Sequence, residues 1–351
     1  MHRDPLELSL ELTPRARFDV IDVRREAAAL HGDVLESFPR CLYYSFHTTA
    51  GYLDQSLATR LTRNRASVEP YVELFRRLFP EGAEYEHDRL DRRSELSQAE
   101  RAVEPLNADS HLAFIASGLR TCVTYRNRPS DPVSFIDLDG VNEGRPRRRL
   151  TTLIGHSGEE EVARVRIPVP VSGHPVDSIN LKDPRLGIFD QLGEAVSRHG
   201  VTRGRIRLEL ATRERHAGLT VNEYETLLMR HDLPEVLANP LRFVAEHGRR
   251  LWNDPRAIPA RTLDYAKYDM VRTFNRLFDA LGLSESKVER VLARAIALPA
   301  ARFLRMKRSV SLLVSDNGTI INGRYQSPIL VQWHRAEGQS REVDAIVSRF
   351  V

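Results

Sequence analysis

FHTTAGYLDQS at residues 46–56 and ERHAGLTVNEYE at residues 214–225 share an Ala-Gly pair, and each follows a stretch with β-strand alternation. RCLYYSFH at residues 40–47 and GRIRLEL at residues 204–210 both place apolar side chains at every second position. A period of two puts successive side chains on opposite faces, which indicates a strand. The chain therefore presents the same loop twice, each time from the same kind of strand.

The ends of the two halves also correspond. Residues 119–154 show three strand patterns with turns between them, and residues 307–351 repeat this order. The second region contains Asp-Asn-Gly at residues 316–318, a strong hairpin signal. A helical pattern precedes each region, at residues 111–119 and 288–304. This shared order predicts two copies of one α+β unit.

The domain boundaries follow from these copies. We predict a first domain at residues 1–155 and a second at residues 165–351, joined by a segment near residues 155–175 with Gly, Pro and acidic residues. Residues 226–300 have apolar side chains at helical spacing and no counterpart in the first half. We expect them to form a helical insertion in the second domain.

Composition excludes several classes of protein. The chain has 351 residues, 41% of them hydrophobic, and a net charge of +4 that comes mainly from arginine. It has no apolar run of signal-peptide or membrane-helix length, so we expect a cytoplasmic protein without a membrane partner. Cys41 and Cys122 lie in apolar strand patterns and are expected to be buried, reduced thiols. The one dense basic run, RPRRR at residues 145–149, could contact phosphates, but no reader motif accompanies it, and no nucleic-acid partner is expected.

Four motifs of the first half resemble those of the YjbQ-like family, also called secondary thiamine-phosphate synthases. They are HTTAG at residues 47–51, YEH at 85–87, NADSHL at 107–112, and DG at 139–140 followed by RPRRR. The resemblance covers nearly all of residues 1–155. It implies an α+β β-sandwich that associates as a trimer, with sites near the subunit boundaries.

The second half resembles the family more weakly, and it carries the motifs that the first half lacks. The family's Asn-Glu pair is replaced by Gln55 and Ser56 in the first half but matched by Asn222 and Glu223 in the second. Gly-Arg-Tyr-Gln at residues 323–326 stands for the family's Gly-x-Trp-Gln. The fold expected is thus two tandem YjbQ-like β-sandwich domains with flanking helices, and the losses of the two halves are complementary. This pattern predicts one composite site built from both halves, within one chain or between chains.

The resemblance assigns roles to the residues of that site. A catalytic role is expected for His47, Thr48, Thr49 and Glu223. Substrate binding is expected for Asn107, Asn222 and Gln326. The candidate metal ligands are His47, His87, His111 and Asp109. Neutral imidazoles with a carboxylate suit Zn²⁺, whereas Mg²⁺ prefers oxygen ligands and a substrate phosphate, so the identity of a divalent metal cofactor stays open.

Structural roles compete with these assignments. Asn107 is well placed as the N-cap of the helix that follows it. Asn222 and Glu223 could cap a helix that begins near Tyr224. Thr48 and Thr49 suit the end of a strand through their β-propensity alone.

Three functions remain open at this level. The first is an enzyme of the thiamine-phosphate synthase type that acts on a phosphorylated or otherwise anionic small molecule. The second is a metal-dependent hydrolase or lyase in which Glu223 is the base for a metal-bound water. The third is a non-catalytic module that binds a metal or a small molecule. A homo-oligomer is expected, with a trimer of two-domain chains favoured.

Overall fold

The computed structural model of the protein describes residues 4–63, 68–128, 131–238 and 306–351. The predicted helical insertion at residues 226–300 lies outside the described residues from residue 239 onward. Its described beginning is helical, with a π-helical turn at Leu228–Asp232 followed by an α-helix at Leu233–Ala238.

The described part of the first half contains nine strands and five α-helices. The strands are β1 (Leu6–Leu12), β2 (Asp19–Asp22), β3 (Arg40–Ser45), β4 (Ala50–Gly51), β5 (Cys122–Arg126), β6 (Ser134–Asp137), β7 (Val141–Asn142), β8 (Arg145–Pro146) and β9 (Arg149–His156). The α-helices are α1 (Val23–His31), α2 (Gln55–Arg63), α3 (Val68–Leu78), α4 (Gln98–Arg101) and α5 (Ala108–Ser117). Short 3₁₀ turns lie at Gly32–Ser37 and Leu90–Arg92.

The described part of the second half contains eight strands and two α-helices. The strands are β10 (Glu159–Pro170), β11 (Asp177–Asn180), β12 (Gly204–Leu210), β13 (Ala217–Asn222), β14 (Ser309–Val314), β15 (Ile320–Ile321), β16 (Ser327–Gln332) and β17 (Ser340–Phe350). The helices are α6 (Ile188–Arg198) and α7 (Leu233–Ala238), and 3₁₀ turns lie at Pro184–Leu186 and Glu337–Gln339. Helices and antiparallel sheets occur together, so the α+β prediction is confirmed at this coarse level.

The strands of the two halves pair in the same order. The large sheet of the first half runs β1-β9-β3-β5, and that of the second runs β10-β17-β12-β14-β15. In each, the last long strand of the half lies between its first strand and the strand before the Ala-Gly loop. The smaller sheets correspond too, as β2-β6-β4 and β11-β16-β13. The loop after β3 thus leads into β4, and the loop after β12 leads into β13, which is the corresponding strand of the other small sheet.

The two large sheets pack against each other, and this explains a difference between β3 and β12. The inward and outward residues of β12 alternate between buried and half-buried, as its sequence predicts. All residues of β3 after Arg40 are buried. Tyr43 faces the core of its own half, whereas Leu42 and Tyr44 pack with Leu313 of the second half. Because β3 is buried on both faces, it has no solvent-facing side. The alternating sequence pattern therefore predicts less burial than the structure shows.

Helix α5 is the element that carries the first half's motif into the centre of the molecule. Every one of its ten residues is buried. Its apolar residues share one cluster with Leu228, Ile329 and Val331 of the second half. This packing brings the first turn of α5 next to the end of β13, where Asn222 lies.

Two composition-based expectations can be compared with the structure. Cys41 and Cys122 are free and buried, as predicted, and burial raises the pKa of each thiol to about 12. Among the helices of the described residues, none has the length and apolar character needed to cross a membrane.

Candidate functional site

Two histidines of the first half meet at the start of helix α5. The ring centroids of His87 and His111 are 5.3 Å apart, and the rings meet edge to face. Both side chains are fully buried. Two imidazoles this close in a buried site disfavour a second positive charge, so their protonation states should differ.

The second half fixes the tautomer of His111. The Asn222 side chain donates from Nδ2 to the Thr48 carbonyl, and its Oδ1 accepts the Glu223 backbone N–H. This orientation leaves Oδ1 facing His111 Nδ1 at 2.6 Å. His111 Nδ1 must therefore carry the proton, and Nε2 has the lone pair. Burial, followed by the nearby charge of His87, lowers the pKa of His111 well below its ordinary value, which keeps the ring neutral.

Glu223 lies on the lone-pair side of that ring. Its Oε2 is 3.6 Å from His111 Nε2, an atom that makes no hydrogen bond within the described residues. Its Oε1 accepts from the buried Arg93 at 3.4 Å. Burial raises the pKa of Glu223 although His87 and Arg93 oppose the shift. Glu223, whose carboxyl takes up a proton more readily than usual, thus faces the unpartnered lone pair of His111 Nε2.

His87 has the opposite charge state. Its Nδ1 is 2.9 Å from Glu225 Oε2, and its Nε2 is 3.3 Å from Asn107 Oδ1. Asn107 donates from Nδ2 to Asp139, so its oxygen is the atom that faces the ring. Both ring nitrogens therefore face acceptors, which favours the imidazolium. Burial is the largest single cause and opposes that charge, but the hydrogen bond to Glu225 and the charges of Glu223 and Glu225 together outweigh it, and the net shift of the His87 pKa is upward.

The backbone around His87 is held by a second carboxylate. Asp232 accepts the backbone N–H groups of Glu86 and His87, each at 2.9 Å. Glu225 accepts the backbone N–H groups of Leu227 and Leu228 while it binds the ring. The imidazolium of the first half is thus oriented by two carboxylates of the second half.

Asn107 precedes α5 but its side chain does not cap the helix. The N–H of Ala108 is accepted instead by Asp88 Oδ1 at 3.1 Å. The capping contacts near Tyr224 are likewise made by Glu225, which follows the predicted Asn222-Glu223 pair. The side chains of Asn107 and Asn222 are therefore used to orient His87 and His111.

His47, the third candidate histidine, lies beside Arg149 and is influenced by the charge of Arg147. The Leu150 backbone N–H donates to its Nε2 at 2.8 Å, and Arg149 Nη1 lies 3.5 Å from its Nδ1. Burial, then the charges of Arg149 and Arg147, lower the pKa of His47 to about 3. The ring is neutral at physiological pH.

The remaining predicted residues contact the site through other groups. The carbonyl of Thr48 accepts from Asn222, and the carbonyl of Thr49 accepts from Leu138 N–H. Asp109 pairs with Arg17 at 2.8 Å, and burial, which Arg17 opposes, raises the pKa of Asp109 to about 6.

Gln326 braces the loop that carries His47. Its Nε2 donates to the carbonyls of Ser45 and His47 at 2.8 and 2.9 Å. Its Oε1 accepts from Tyr44 and from the Gly323 N–H. The structure gives this second-half side chain a positioning contact with the first-half loop, and its amide atoms are occupied by the protein.

The arrangement does not fit a histidine-ligated metal. His87 presents no lone pair, and the Nε2 lone pair of His47 is taken by Leu150 N–H. His111 Nε2 alone is available. Across residues 4–63, 68–128, 131–238 and 306–351, no group of three or more His, Cys, Asp or Glu side chains is placed to hold a metal ion. The metal site therefore remains a prediction without support from the donor geometry.

Sequence reasoning did not find several charged residues of the site. Arg149 binds Asp137 through two hydrogen bonds of 2.6 and 2.8 Å, and Arg147 binds Asp139. The DG motif at residues 139–140 and the RPRRR motif have opposite charges, which could have suggested the pairing of Arg147 with Asp139, whereas Asp137 lies outside both motifs. Glu225 lay within the stretch ERHAGLTVNEYE, but nothing in the sequence links it to His87.

Comparisons with known proteins give only distant matches. No protein-family model matches the chain, and no curated protein matches it. A YbjQ-like protein of unknown function from Sulfolobus solfataricus is 14% identical over 55% of this chain and 99% of its own, with a TM-score of 0.31. A hypothetical protein from Aeropyrum pernix is 13% identical over 53% of this chain and 98% of its own, with a TM-score of 0.27. An uncharacterised YjbQ-family protein from Clostridium acetobutylicum is 15% identical over 52% and 98%, with a TM-score of 0.25. The chain is thus similar to YjbQ-type structures over about half of its length.

Proposed function

We propose that the chain is a tandem duplication of one α+β unit, with copies at residues 1–155 and 165–351. The shared strand order of the two large and two small sheets supports this proposal. The halves have since divided one site between them. The first half supplies His87 and His111, and the second supplies Glu223 and Glu225.

We further propose that the protein is a small-molecule enzyme that transfers a proton through Glu223. The observation that carries this proposal is the contact between Glu223 Oε2 and the unpartnered His111 Nε2 at 3.6 Å. The side chain of Glu223 is 18% exposed and that of His111 is 1% exposed, so Glu223 is the member that a substrate reaches. Once Glu223 has taken up the proton, its carboxyl O–H can donate a hydrogen bond to the lone pair of the neutral His111 ring.

The reaction class follows from this pair. Glu223 removes a proton from an O–H or N–H group, or from water, as that atom forms its new bond and a leaving group departs with its electron pair. The His87 imidazolium offers positive charge close to the developing negative charge. A transferase-type reaction on an anionic substrate and hydrolysis by water both use this step. Thiamine-phosphate synthase activity is implied only by the motif resemblance.

The test is turnover of a panel of phosphorylated and carboxylated small molecules, followed by mass spectrometry. We expect Glu223→Gln to lower kcat by about 10²- to 10⁴-fold, the usual contribution of a general base. Glu194→Gln, at an exposed position on α6, is the matched control and should keep wild-type turnover.

Two outcomes would reject the catalytic proposal. Equal turnover by wild type and Glu223→Gln would remove the role of this carboxyl. Binding of a panel compound without turnover, unchanged in Glu223→Gln, would favour the non-catalytic binding module.

A further inference from the structure

Two hydrogen-bond donors, one on His47 and one on Arg149, face each other near the pair formed by Glu223 and His111, called here the proton-transfer pair. Leu150 N–H donates to His47 Nε2, so the single proton of this neutral ring lies on Nδ1. Arg149 spends Nε and Nη2 on Asp137 and on the Asp139 carbonyl. Its remaining nitrogen, Nη1, lies 3.5 Å from His47 Nδ1. Two donors cannot bond to each other, so neither group finds an acceptor at this contact, although the Arg149 side chain is only 2% exposed.

A third cation lies within electrostatic reach of this place. Burial is the largest cause that lowers the pKa of His47 and of His111, and the charge of Arg147 adds to it at both histidines. The Arg147 side chain is 37% exposed, whereas its partner Asp139 is fully buried. Arg147 binds the Asp139 carboxylate and Arg149 Nη2 donates to the Asp139 carbonyl, so both arginines are held by one residue and Arg147 extends from it towards solvent.

We propose that His47 Nδ1–H, Arg149 Nη1 and Arg147 form a subsite for an oxyanion group of the substrate, either a phosphate or a carboxylate. Two N–H groups at this separation can share one anionic oxygen, and charge-assisted bonds of this kind are among the strongest in proteins. Asp137 and Asp139 hold the two guanidinium groups in place. The assignment of this anion to a substrate rests on the proposed function.

This subsite narrows the substrate class. The oxyanion is held by residues of the first half, while Glu223 of the second half faces the group that loses a proton. The substrate is then a small phosphomonoester or carboxylic acid that also bears an O–H or N–H group, or one attacked by water. Because His47 is neutral at physiological pH, it donates a hydrogen bond but no charge. The subsite therefore suits a group that is already ionised at neutral pH.

Calorimetric titration tests the subsite without a known substrate. Inorganic phosphate and acetate serve as separate probes in a Bis-Tris chloride buffer near neutral pH, which contains no other oxyanion, and the tighter ligand identifies the preferred oxyanion. The variants are His47→Gln, which keeps an acceptor for Leu150 N–H but lacks the Nδ1 donor, and Arg147→Gln. The control is Arg148→Gln, which removes the same charge from the adjacent position, where the side chain is 82% exposed.

We expect one of the two anions to bind wild type and Arg148→Gln equally. Loss of one charge-assisted hydrogen bond should weaken binding by about tenfold or more in each of His47→Gln and Arg147→Gln. The subsite is wrong if neither anion binds, or if Arg148→Gln weakens binding as much as Arg147→Gln. Circular dichroism melting of every variant identifies any loss of folding, and a folded His47→Gln keeps the test decisive if Arg147→Gln unfolds.

Different experimental results would reject the oxyanion subsite and the proton-transfer role of Glu223. Glu223→Gln leaves all three donors in place, so it should bind phosphate or acetate at least as tightly as wild type. Anion binding without turnover would keep the subsite and reject the enzyme. Turnover that survives Arg147→Gln, with no anion bound by wild type, would keep the enzyme and reject the subsite.

Discussion

Replacing His47 by Gln should make the stability of the protein less sensitive to acid. Burial and the charges of Arg149 and Arg147 hold the folded-state pKa of His47 at about 3, below the ordinary 6.5 of the unfolded chain. As pH falls below about 6.5, the unfolded chain binds a proton at this position that the folded chain does not bind. The stability associated with the neutral ring is therefore present above that pH and is lost as pH falls.

The size of this loss follows from the two pKa values. Protonation of one unfolded histidine stabilises the unfolded state by roughly 0.2 kcal/mol at about pH 7 and by roughly 2 kcal/mol at about pH 5. The folded-state pKa of about 3 adds almost nothing over this interval. Wild type should therefore lose about 2 kcal/mol through His47 alone, and His47→Gln should not lose it. His111, whose pKa is also lowered, contributes in the same direction to both proteins and cancels in the comparison.

The assay is urea unfolding of wild type and His47→Gln at the two pH values, in buffers without phosphate or carboxylate that could occupy the proposed subsite. His31→Gln, at the exposed end of α1, is the matched control and should keep the wild-type pH dependence. If His47→Gln and wild type lose the same stability between the two pH values, then His47 is not the buried neutral group described above.

Two further predictions concern the first turn of α5 and its surroundings. Glu225→Gln removes the negative charge that favours the charged form of His87 while it keeps an acceptor for Nδ1, so the pKa of His87 should fall. Imidazole shifts in an NMR titration would show this fall, and an unchanged pKa would contradict the ion pair. Asp88→Ala removes the acceptor of the Ala108 N–H and should cost about 1 kcal/mol in denaturant unfolding. Asp91→Ala, at an exposed position nearby, should cost little, and equal losses would argue against capping by Asp88.

Local patterns predicted the elements better than the roles of single residues. Alternation identified β3 and β12, and complementary motifs placed Asn222 and Glu223 opposite the histidines of the first half. The N-cap alternative for Asn107 was a sound reading of local sequence, because an Asn before a helix usually serves that role. Asp88 took the role because its loop passes the helix N-terminus, which depends on tertiary packing.

Protonation states could not be predicted from the motif. Histidines in a motif suggest metal ligands because their partners are not visible in the sequence. The proton of His111 is set by Asn222, which is 111 residues away, and the charge of His87 is set by Glu225, which is 138 residues away. Such contacts depend on how β13 and the turn after it pack on α5. The same limit applies to Arg149, whose contact with His47 spans 102 residues.

The two unequal halves give two adjacent histidines different partners and therefore different charges. His87 and His111 both face the Oδ1 atom of an asparagine, so the asparagines alone would treat them alike. The difference comes from the second partner, which is ionised Glu225 for His87 and the acid with a raised pKa, Glu223, for His111. Both of these partners come from the same short segment of the second half. Under the proposed duplication, this segment of the second half can change without any change in the histidines, so the charge asymmetry that the proposed proton transfer requires is encoded in one half and used in the other.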